Sequence, residues 1–345
     1  MSGRFISPGH IGIVADGTTN GPTWFSYHYY DAAKQGRSRL AIGKIDGSDG
    51  WPTPANQVIS HSRPASAITT RMKMKIVFCL PLLVLLAATG CATSRGKLVW
   101  HDEFNQNGPP DPANWNYERG FVRNHELQWY QPENAFCTNG LLVIEARREH
   151  RPNPNFVPGS TDWRTSREWI DVTSASLTSR RLREFKYGRL EMRARIDTRL
   201  GSWPAFWTLG ATPRLGWPAG GEVDIMEYYT GTVLANLGYS LDRKTKWLAY
   251  KKPITELGGV AWSKQFHIWT MDWDDQKIDL RLDGQLMNHL SLADADNADR
   301  GNPFHRPVYL ILNQAVGGDC GGDPATTPFP IRFEVDWVRV YQRGH

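Results

Sequence analysis

The chain lacks the closely spaced cysteine pairs that zinc-binding modules use. Its cysteines are Cys79, Cys91, Cys137 and Cys320, and no two of them form a C-x-x-C pair. Structural zinc sites are usually built from such pairs. A zinc site is therefore not expected.

Long runs of basic residues are missing as well. The net charge is +5, which by itself suggests an anionic partner. The lysines and arginines are dispersed, however, and form only short runs such as residues 179–183. Dispersed charge is typical of a solvated surface, so we expect no nucleic-acid partner.

A membrane-spanning helix needs ~20 apolar residues, and the apolar run at residues 76–88 is too short, with about 13. It follows a basic stub at residues 71–75, which gives it the shape of a signal peptide. Its end, Ala88-Thr-Gly-Cys91, resembles a bacterial lipobox, whose cysteine is lipidated. Residues 72–91 therefore predict export, as a cell-envelope lipoprotein anchored through Cys91 or as a secreted protein. A buried core segment is the remaining alternative.

Signal peptides begin chains, whereas this one is preceded by residues 1–71. That segment has scattered Gly, Pro and Ser and no sustained period of 2 or 3.6. We predict that translation starts at Met72 or Met74 and that residues 1–71 are a mis-assigned gene start. A disordered extension is the alternative.

Loss of the signal peptide would leave two cysteines besides a lipidated Cys91. Cys137 and Cys320 could then pair in an oxidising compartment. The sequence does not decide whether they are close enough.

Helical patterns are scarce, and the pattern over residues 97–342 predicts β-strands. Residues 187–196 alternate strictly between apolar and charged side chains, as in a strand with one buried face. Residues 267–273 and 277–282 predict a hairpin, and Asp283-Gly284 predicts the next turn. Only residues 292–298 favour a short helix. Many strands without an internal repeat predict one large all-β sandwich of the jelly-roll type.

Three carboxylates stand in the stretch GEVDIMEYY, residues 221–229, among residues that favour a strand. Glu222 and Asp224 share a face because the period of a strand is 2. Glu227 lies an odd number of residues further on and would face the other side. We predict a β-bulge at Ile225-Met226, which would return Glu227 to the face of the other two.

Such crowding has a chemical consequence. Three carboxylates on one face repel each other, so the pKa of at least one must rise. A retaining glycosidase needs this combination, an ionised nucleophile beside a protonated acid. A cluster of ligands for a hard cation and a solvated outer face are the alternatives. The apolar and aromatic neighbours argue against the solvated face.

Tryptophan is abundant, with 15 residues, and three of them lie close to this stretch. Trp203, Trp207 and Trp217 precede the carboxylates. The apolar faces of sugar rings pack on aromatic planes. Core packing is the alternative, but the cluster beside the carboxylates favours substrate binding.

The stretch Glu222-Val-Asp224-Ile-Met-Glu227 resembles the E-[ILV]-D-x-x-E signature of glycoside hydrolase family 16. Further matches occur in the family's order over residues 97–342. They are W-H-D-E-F at 100–104, N-H-E-L-Q at 124–128, Y-G-R-L-E at 187–191, W-P-A-F-W at 203–207, N-Q-A-V-G-G at 313–318 and V-D-W-V-R-V-Y at 335–341. The ordered set makes the resemblance specific, and residues 92–345 are identified as the catalytic domain.

The resemblance implies a concanavalin-like β-jelly-roll of two curved antiparallel sheets, with the substrate in a concave cleft. It implies retaining endo-hydrolysis of a β-linked polysaccharide by a monomer that needs no cofactor for catalysis. Glu222 would be the nucleophile, Glu227 the acid/base, and Asp224 a hydrogen-bonding partner of the nucleophile. The remaining roles are sugar-stacking walls at Trp203 and Trp207, donor subsites at Asn124 and Glu126, and a structural Ca²⁺ held by Glu103 and Asp336.

The W-P-A-F-W motif favours a laminarinase-like β-1,3- or β-1,3(4)-glucanase. Two departures bear on the substrate. Laminarinases often carry T-S-A-R-I where this chain has T-S-A-S-L at 173–177, and a histidine where it has L-A-N-L-G at 234–238. An agarase- or carrageenase-type galactan hydrolase is the alternative within the family. A transglycosylase or a non-catalytic glucan-binding module is a further alternative, although such modules lose the carboxylates that are present here.

Overall fold

The computed structural model describes residues 5–14, 24–31, 37–46, 53–54, 96–212, 214–296 and 301–343. The chain divides into two compact units, Met1–Ala88 and Thr89–His345. The predicted signal peptide at residues 72–91, including Cys91, lies outside the described residues.

The first unit contains a four-stranded antiparallel sheet in which each strand pairs with the next along the chain. Its strands are β1 (Phe5–Val14), β2 (Trp24–Asp31), β3 (Arg37–Asp46) and β4 (Thr53–Pro54). The irregular pattern of residues 1–71 did not predict these strands. The start of translation at Met72 or Met74 stays a prediction, because a sheet does not identify a start codon.

The second unit is built almost entirely of strands. In chain order they are β5 (Lys97–Asp102), β6 (Asn116–Tyr117), β7 (Gln128–Tyr130), β8 (Ala135–Thr138), β9 (Leu141–Pro152), β10 (Trp169–Ser174), β11 (Ser176–Thr178), β12 (Glu184–Phe185), β13 (Gly188–Ile196), β14 (Ser202–Gly210), β15 (Glu222–Tyr229), β16 (Thr232–Leu241), β17 (Lys244–Pro253), β18 (His267–Trp273), β19 (Lys277–Leu282), β20 (Gln285–Ser291), β21 (Val308–Val316) and β22 (Ile331–Gln342). The helices are short: α1 (Ile254–Leu257), α2 (Gly259–Ser263) and α3 (Gly318–Gly321). No helix in the described part of the chain has the length and apolarity of a membrane span.

These strands form two sheets. The ten-stranded sheet has the order β20-β19-β18-β13-β22-β9-β10-β7, with β5 on β22 and β8 on β9. The eight-stranded sheet has the order β17-β16-β15-β14-β21-β11-β6, with β12 on β21. The pair β7–β10 is parallel, and the other pairs of this unit are antiparallel. The predicted all-β jelly-roll sandwich is confirmed.

The core lies between the two sheets, because each strand turns alternate side chains inward. Leu190 and Phe333 of the ten-stranded sheet belong to the same buried cluster as Phe206, Ile225 and Leu312 of the eight-stranded sheet. The outward residues of β13 are charged and form ion pairs. Arg195 binds Glu334 through two nitrogens at 2.5 and 3.0 Å. The strict alternation in β13 thus separates core from surface, as predicted.

The predicted turns are found, with one difference. β18 and β19 pair as a hairpin, and Asp283 and Gly284 both have positive φ (49° and 80°), as a two-residue primed turn requires. Residues 292–296, the described part of the segment 292–298, do not form the expected helix. A 3₁₀ turn spans Leu292–Ala295 and ends there because Asp296 is extended.

Candidate active site

The strand β15 contains the predicted bulge. On β16, Asp224 pairs with Asn236 and Glu227 pairs with Leu234, so Ile225-Met226 opposes a single residue. The register with β14 shifts at the same place. The extra residue restores the parity of the faces, and the predicted bulge is confirmed.

The bulge sends the apolar residues inward and the acidic ones outward. Ile225 and Met226 are both fully buried in the core between the sheets. Glu222, Asp224 and Glu227 all line an open pocket of about 330 Å³ on the opposite face. Three carboxylates on one strand therefore face the same space.

The pocket collects residues from several strands and one loop. It is lined by Arg123, Asn124, Glu126, Trp203, Ala205, Trp207, Glu222, Asp224, Glu227 and Asn313. Seven of these are residues singled out in the sequence, and Trp217 reaches the same site through a hydrogen bond to Glu222. The sequence assigned no role to Arg123, Ala205 or Asn313, although the last two lie in matched motifs.

Glu222 and Asp224 form an unequal pair. Burial raises the pKa of Asp224 well above its usual value, and the charges of Glu222 and Glu227 raise it further. Burial also raises the pKa of Glu222, but hydrogen bonds from Asp224 and Trp217 act in the opposite direction. These shifts favour the protonated form of Asp224 more strongly than that of Glu222.

Glu227 is suited to hold a proton near neutral pH. Burial raises its pKa to about 7, and the charges of Glu222 and Glu126 act in the same direction. Two donors limit this rise. Trp203 Nε1 donates to Oε1 at 2.7 Å, and Asn236 Nδ2 donates to Oε2 at 3.2 Å. A carboxyl group with this pKa is suited to the acid role, which needs a proton near neutral pH.

A fourth acidic group, Glu126, lies in the same pocket. Burial raises its pKa to about 7. Its Oε2 accepts hydrogen bonds from Gln128 Nε2 at 2.6 Å and from the Tyr130 hydroxyl at 3.2 Å. The Tyr130 hydroxyl in turn accepts from Asn313 Nδ2 at 3.1 Å, and Asn313 Oδ1 accepts from Trp207 Nε1 at 2.7 Å. This chain of hydrogen bonds fixes the floor of the pocket.

Trp203 and Trp207 are less open than sugar-stacking walls would be. Only 6% of Trp203 and 7% of Trp207 is exposed. The Arg123 guanidinium lies 5.0 Å from the Trp207 ring centre, and Tyr229 packs edge-on against Trp203 at 5.4 Å. Both indoles act through Nε1, Trp203 on Glu227 and Trp207 on Asn313.

Trp217 differs from them, because 56% of it is exposed and its Nε1 donates to Glu222 Oε2 at 2.6 Å. Its ring lies beside that of Trp247, which the sequence did not single out. Trp247 lies on β17, a strand rich in lysines, and its sequence context did not indicate a role in the site.

The two departures from the laminarinase pattern can be located. Asn236, in the L-A-N-L-G stretch, contacts Glu227. Ser176, in the T-S-A-S-L stretch, is buried and donates to Glu118 Oε2 at 2.7 Å. Glu118 also pairs with Arg123. An arginine from the loop at residue 123, rather than one from β11, thus brings positive charge to this side of the pocket.

Each of the two expected calcium ligands is paired with an arginine. Glu103 is bound by Arg339 through two hydrogen bonds of 2.8 Å, and Asp336 pairs with Arg193. A carboxylate neutralised in this way does not fit a calcium site. Within the described residues, no three acidic, His or Cys side chains are placed to hold a metal ion, and this includes the carboxylates of β15. Calcium binding stays a prediction.

The two remaining cysteines are free. Cys137 is buried, and Cys320 is partly buried in α3. Burial raises the pKa of the Cys137 thiol to about 12. The pairing that the sequence left open is not formed.

Comparisons with known proteins agree with this geometry. The model of glycosyl hydrolases family 16 matches residues 124–339. A beta-glucanase of Rhodothermus marinus is 34% identical over 297 residues, which covers 79% of this chain and 96% of that protein. The laminarinase catalytic domain of Thermotoga maritima MSB8 is similar at a TM-score of 0.61 and 36% identity, over 72% of this chain and 99% of that one. A structure from work on endo-acting O-glycanases of the human gut microbiota is similar at a TM-score of 0.66 and 35% identity. The match covers 72% of this chain and 91% of that one.

Proposed function

We propose that this chain, which belongs to glycosyl hydrolases family 16, is a retaining endo-hydrolase of β-1,3- or mixed β-1,3(4)-glucan. Its activity as a glycoside hydrolase follows from the family and from its glucanase relatives. The names of those relatives, a beta-glucanase and a laminarinase, support the substrate. The stereochemistry and the residue roles are our proposal.

The observation that carries the mechanism is the shared face of Glu222 and Glu227 on the bulged strand. Glu222, as the carboxylate, attacks the anomeric carbon. Glu227 donates its proton to the departing glycosidic oxygen, and a covalent glycosyl-enzyme forms. Glu227, now ionised, removes a proton from water, which attacks the anomeric carbon and releases Glu222.

The neighbours of these two residues have supporting roles. Protonated Asp224 donates a hydrogen bond to Glu222 and keeps it in the nucleophilic form. Trp203 and Asn236 hold both oxygens of Glu227 in place, so that its proton is presented in one direction. One nitrogen of Arg123, Nη1, is buried at the pocket without a hydrogen-bond partner in the described structure.

Two variants test these roles. Glu222→Ala should abolish turnover of polysaccharide while keeping binding. Glu227→Ala should lose turnover of polysaccharide but keep most of its kcat/KM on aryl glycosides, because kcat/KM reports formation of the glycosyl-enzyme and these leaving groups need no proton. Near-full activity of the first variant, or equal losses of the second on both substrates, would contradict the assignment.

A galactan or related galactose-containing chain is the second candidate. It is favoured by Asn236, which stands beside Glu227 where the L-A-N-L-G stretch lacks the histidine frequent in laminarinases. The similarity to a structure from work on gut O-glycanases and mucin breakdown supports a substrate other than glucan. A reducing-end assay on laminarin, lichenan, agarose and carrageenan decides between the candidates, because only the true backbone yields new reducing ends.

Export is proposed on the sequence of residues 72–91 alone. If Cys91 carries lipid, radiolabelled palmitate should be incorporated into the wild-type protein in a bacterial host and not into Cys91→Ser. Incorporation into neither would leave secretion as the proposal. We expect the mature protein to migrate as a monomer in size-exclusion chromatography.

A further inference from the structure

The edge strand β17 carries one large aromatic residue on the face that bears the pocket. Trp247 is 50% exposed. Exposed apolar residues that stand alone are common and need no explanation. The surroundings of Trp247 are unusual, however, because they lead directly to Glu222.

The pairing of three strands defines this path. Glu222 on β15 pairs with Gly238 on β16, and Gly238 pairs with Trp247 on β17. Residues that pair directly across a sheet point to the same face. Trp247 therefore lies on the same face as Glu222, two strands away.

Gly238 lets the indole reach across the strand between them. A Cβ at this position would lie 2.8 Å from Cζ3 of Trp247 and 2.9 Å from its Cη2. The six-membered ring of the indole therefore rests on the backbone of Gly238. Any larger residue there would push the ring away from Glu222.

The indole of Trp247 also lies beside a second indole, that of Trp217. The ring centres of Trp217 and Trp247 are 6.3 Å apart, at an interplanar angle of 43°. Trp217 holds Glu222 through its Nε1. Two half-exposed indoles thus converge next to the proposed nucleophile.

Stability alone gives a weak account of this arrangement. An aromatic residue laid over a glycine in a neighbouring strand does support a sheet edge. A ring that served only this purpose would gain most from being covered, yet half of Trp217 and half of Trp247 stay exposed. The nearly buried Trp203 and Trp207 cannot offer an open ring face in their place.

We propose that Trp217 and Trp247 form an aromatic platform that binds one pyranose ring of the β-linked chain beside Glu222, with Trp247 as a specificity-determining residue. The apolar C–H face of the sugar packs on the indoles, while its hydroxyls stay in water at the rim. This inference rests on the proposed function of the cleft. It adds a residue from an edge strand to substrate recognition.

The test compares three variants on the polysaccharide that the wild type cleaves fastest and on its oligosaccharides of increasing length. Trp247→Ala should raise KM about tenfold on long chains, equivalent to ~1.4 kcal/mol of binding. Substrates too short to reach the platform should be unaffected. Trp247→Phe should restore most of the loss, because a ring remains. Gly238→Ala should show the same length-dependent loss, because the ring is displaced.

Trp169→Ala is the matched control. Trp169 is an exposed tryptophan on β10 of the other sheet, where it stacks on His150 at 4.5 Å between ring centres. This variant should keep wild-type kinetics at every chain length, and its melting temperature measures what the loss of a surface indole costs in general.

Two outcomes would overturn the platform. Wild-type kinetics of Trp247→Ala at every length would mean that the ring binds no sugar. An equal loss of kcat on short and long substrates would mean that the ring only supports Glu222. A wild type that cleaves none of the four polysaccharides would instead contradict the proposed function, so the two failures are distinguishable.

Discussion

The hydrogen bond from Trp203 to Glu227 should set the upper pH limit of activity. Trp203 Nε1 donates to Oε1 at 2.7 Å and therefore favours the ionised form of Glu227. Trp203→Phe keeps the ring but removes the donor. Without this donor the carboxyl group holds its proton to higher pH, so its pKa must rise from the present value of about 7.

The size of this change follows from the strength of the bond. A hydrogen bond to a charged group is worth about 1.5–3 kcal/mol, and 1.36 kcal/mol corresponds to one pH unit. The pKa of Glu227 should rise by about one to two pH units. Because Glu227 must be protonated to act as the acid, the alkaline limb of kcat/KM should move to higher pH by the same amount.

Trp217→Phe is the matched control on the other carboxylate. Trp217 Nε1 donates to Glu222, which must be ionised to attack. Loss of this bond should raise the pKa of Glu222 and move the acidic limb to higher pH. The effect should be smaller, less than about one pH unit, because Trp217 is exposed and water replaces part of the bond.

The assay is the pH dependence of kcat/KM on a soluble polysaccharide, from pH 4 to about pH 10, for the wild type and both variants. The reasoning predicts that each variant moves a different limb. It would be refuted if Trp203→Phe left the alkaline limb in place, or if both variants moved the same limb. A change in KM alone would not test this reasoning, because a lost contact with the sugar does not move either limb of the pH profile.

Further predictions concern stability and metal. Because the pKa of Glu227 rises from 4.5 to about 7 on folding, the native state holds a proton that the unfolded state has lost, and stability falls as pH rises through this window. Glu227→Gln should therefore be more stable than the wild type by about 3 kcal/mol at pH 8 and by little at pH 4 in urea unfolding; a gain independent of pH would contradict this. Glu126→Gln should behave similarly, since the pKa of Glu126 also rises to about 7. For calcium, a melting temperature raised by CaCl₂ in the wild type but not in Glu103→Gln would support the predicted site, and equal melting temperatures in CaCl₂ and EDTA would argue against it.

The β-bulge in β15 shows how much of the site could be predicted from the sequence. Strand parity alone places Glu222 and Asp224 on one face and Glu227 on the other. An extra residue at Ile225-Met226 is needed to bring Glu227 to the face of the other two carboxylates. The β-bulge could therefore be predicted from the need for all three to share one site. The buried face of β13 could also be predicted directly, because apolar and charged residues strictly alternate along this strand.

The contacts between side chains could not be predicted in this way. The period of β14 places Trp203 and Trp207 on the cleft face, but it does not say that their Nε1 atoms serve Glu227 and Asn313. The bond from Asn313 to Tyr130 joins residues 183 positions apart. Such contacts depend on which strands become neighbours, and that is decided by the packing of the whole sandwich.

Trp247 illustrates the same limit at the edge of the sheet. Its importance depends on the register of β16 against β17, which brings it opposite Gly238. A shift of one residue would turn the indole to the other face. The sequence around it is dominated by lysines, which are typical of a protected edge strand, and gives no sign of a role in the cleft.

The central claim is that Glu222 forms a covalent bond with the substrate while Glu227 supplies the proton. It is tested most directly with a 2-deoxy-2-fluoro β-glycoside of the preferred sugar that carries a dinitrophenolate leaving group, which should trap the glycosyl-enzyme. After proteolysis, fragment-ion mass spectrometry should locate the sugar on Glu222, and Glu222→Ala should take up none. A label on Glu227, or turnover to products of inverted anomeric configuration with no label, would contradict the account.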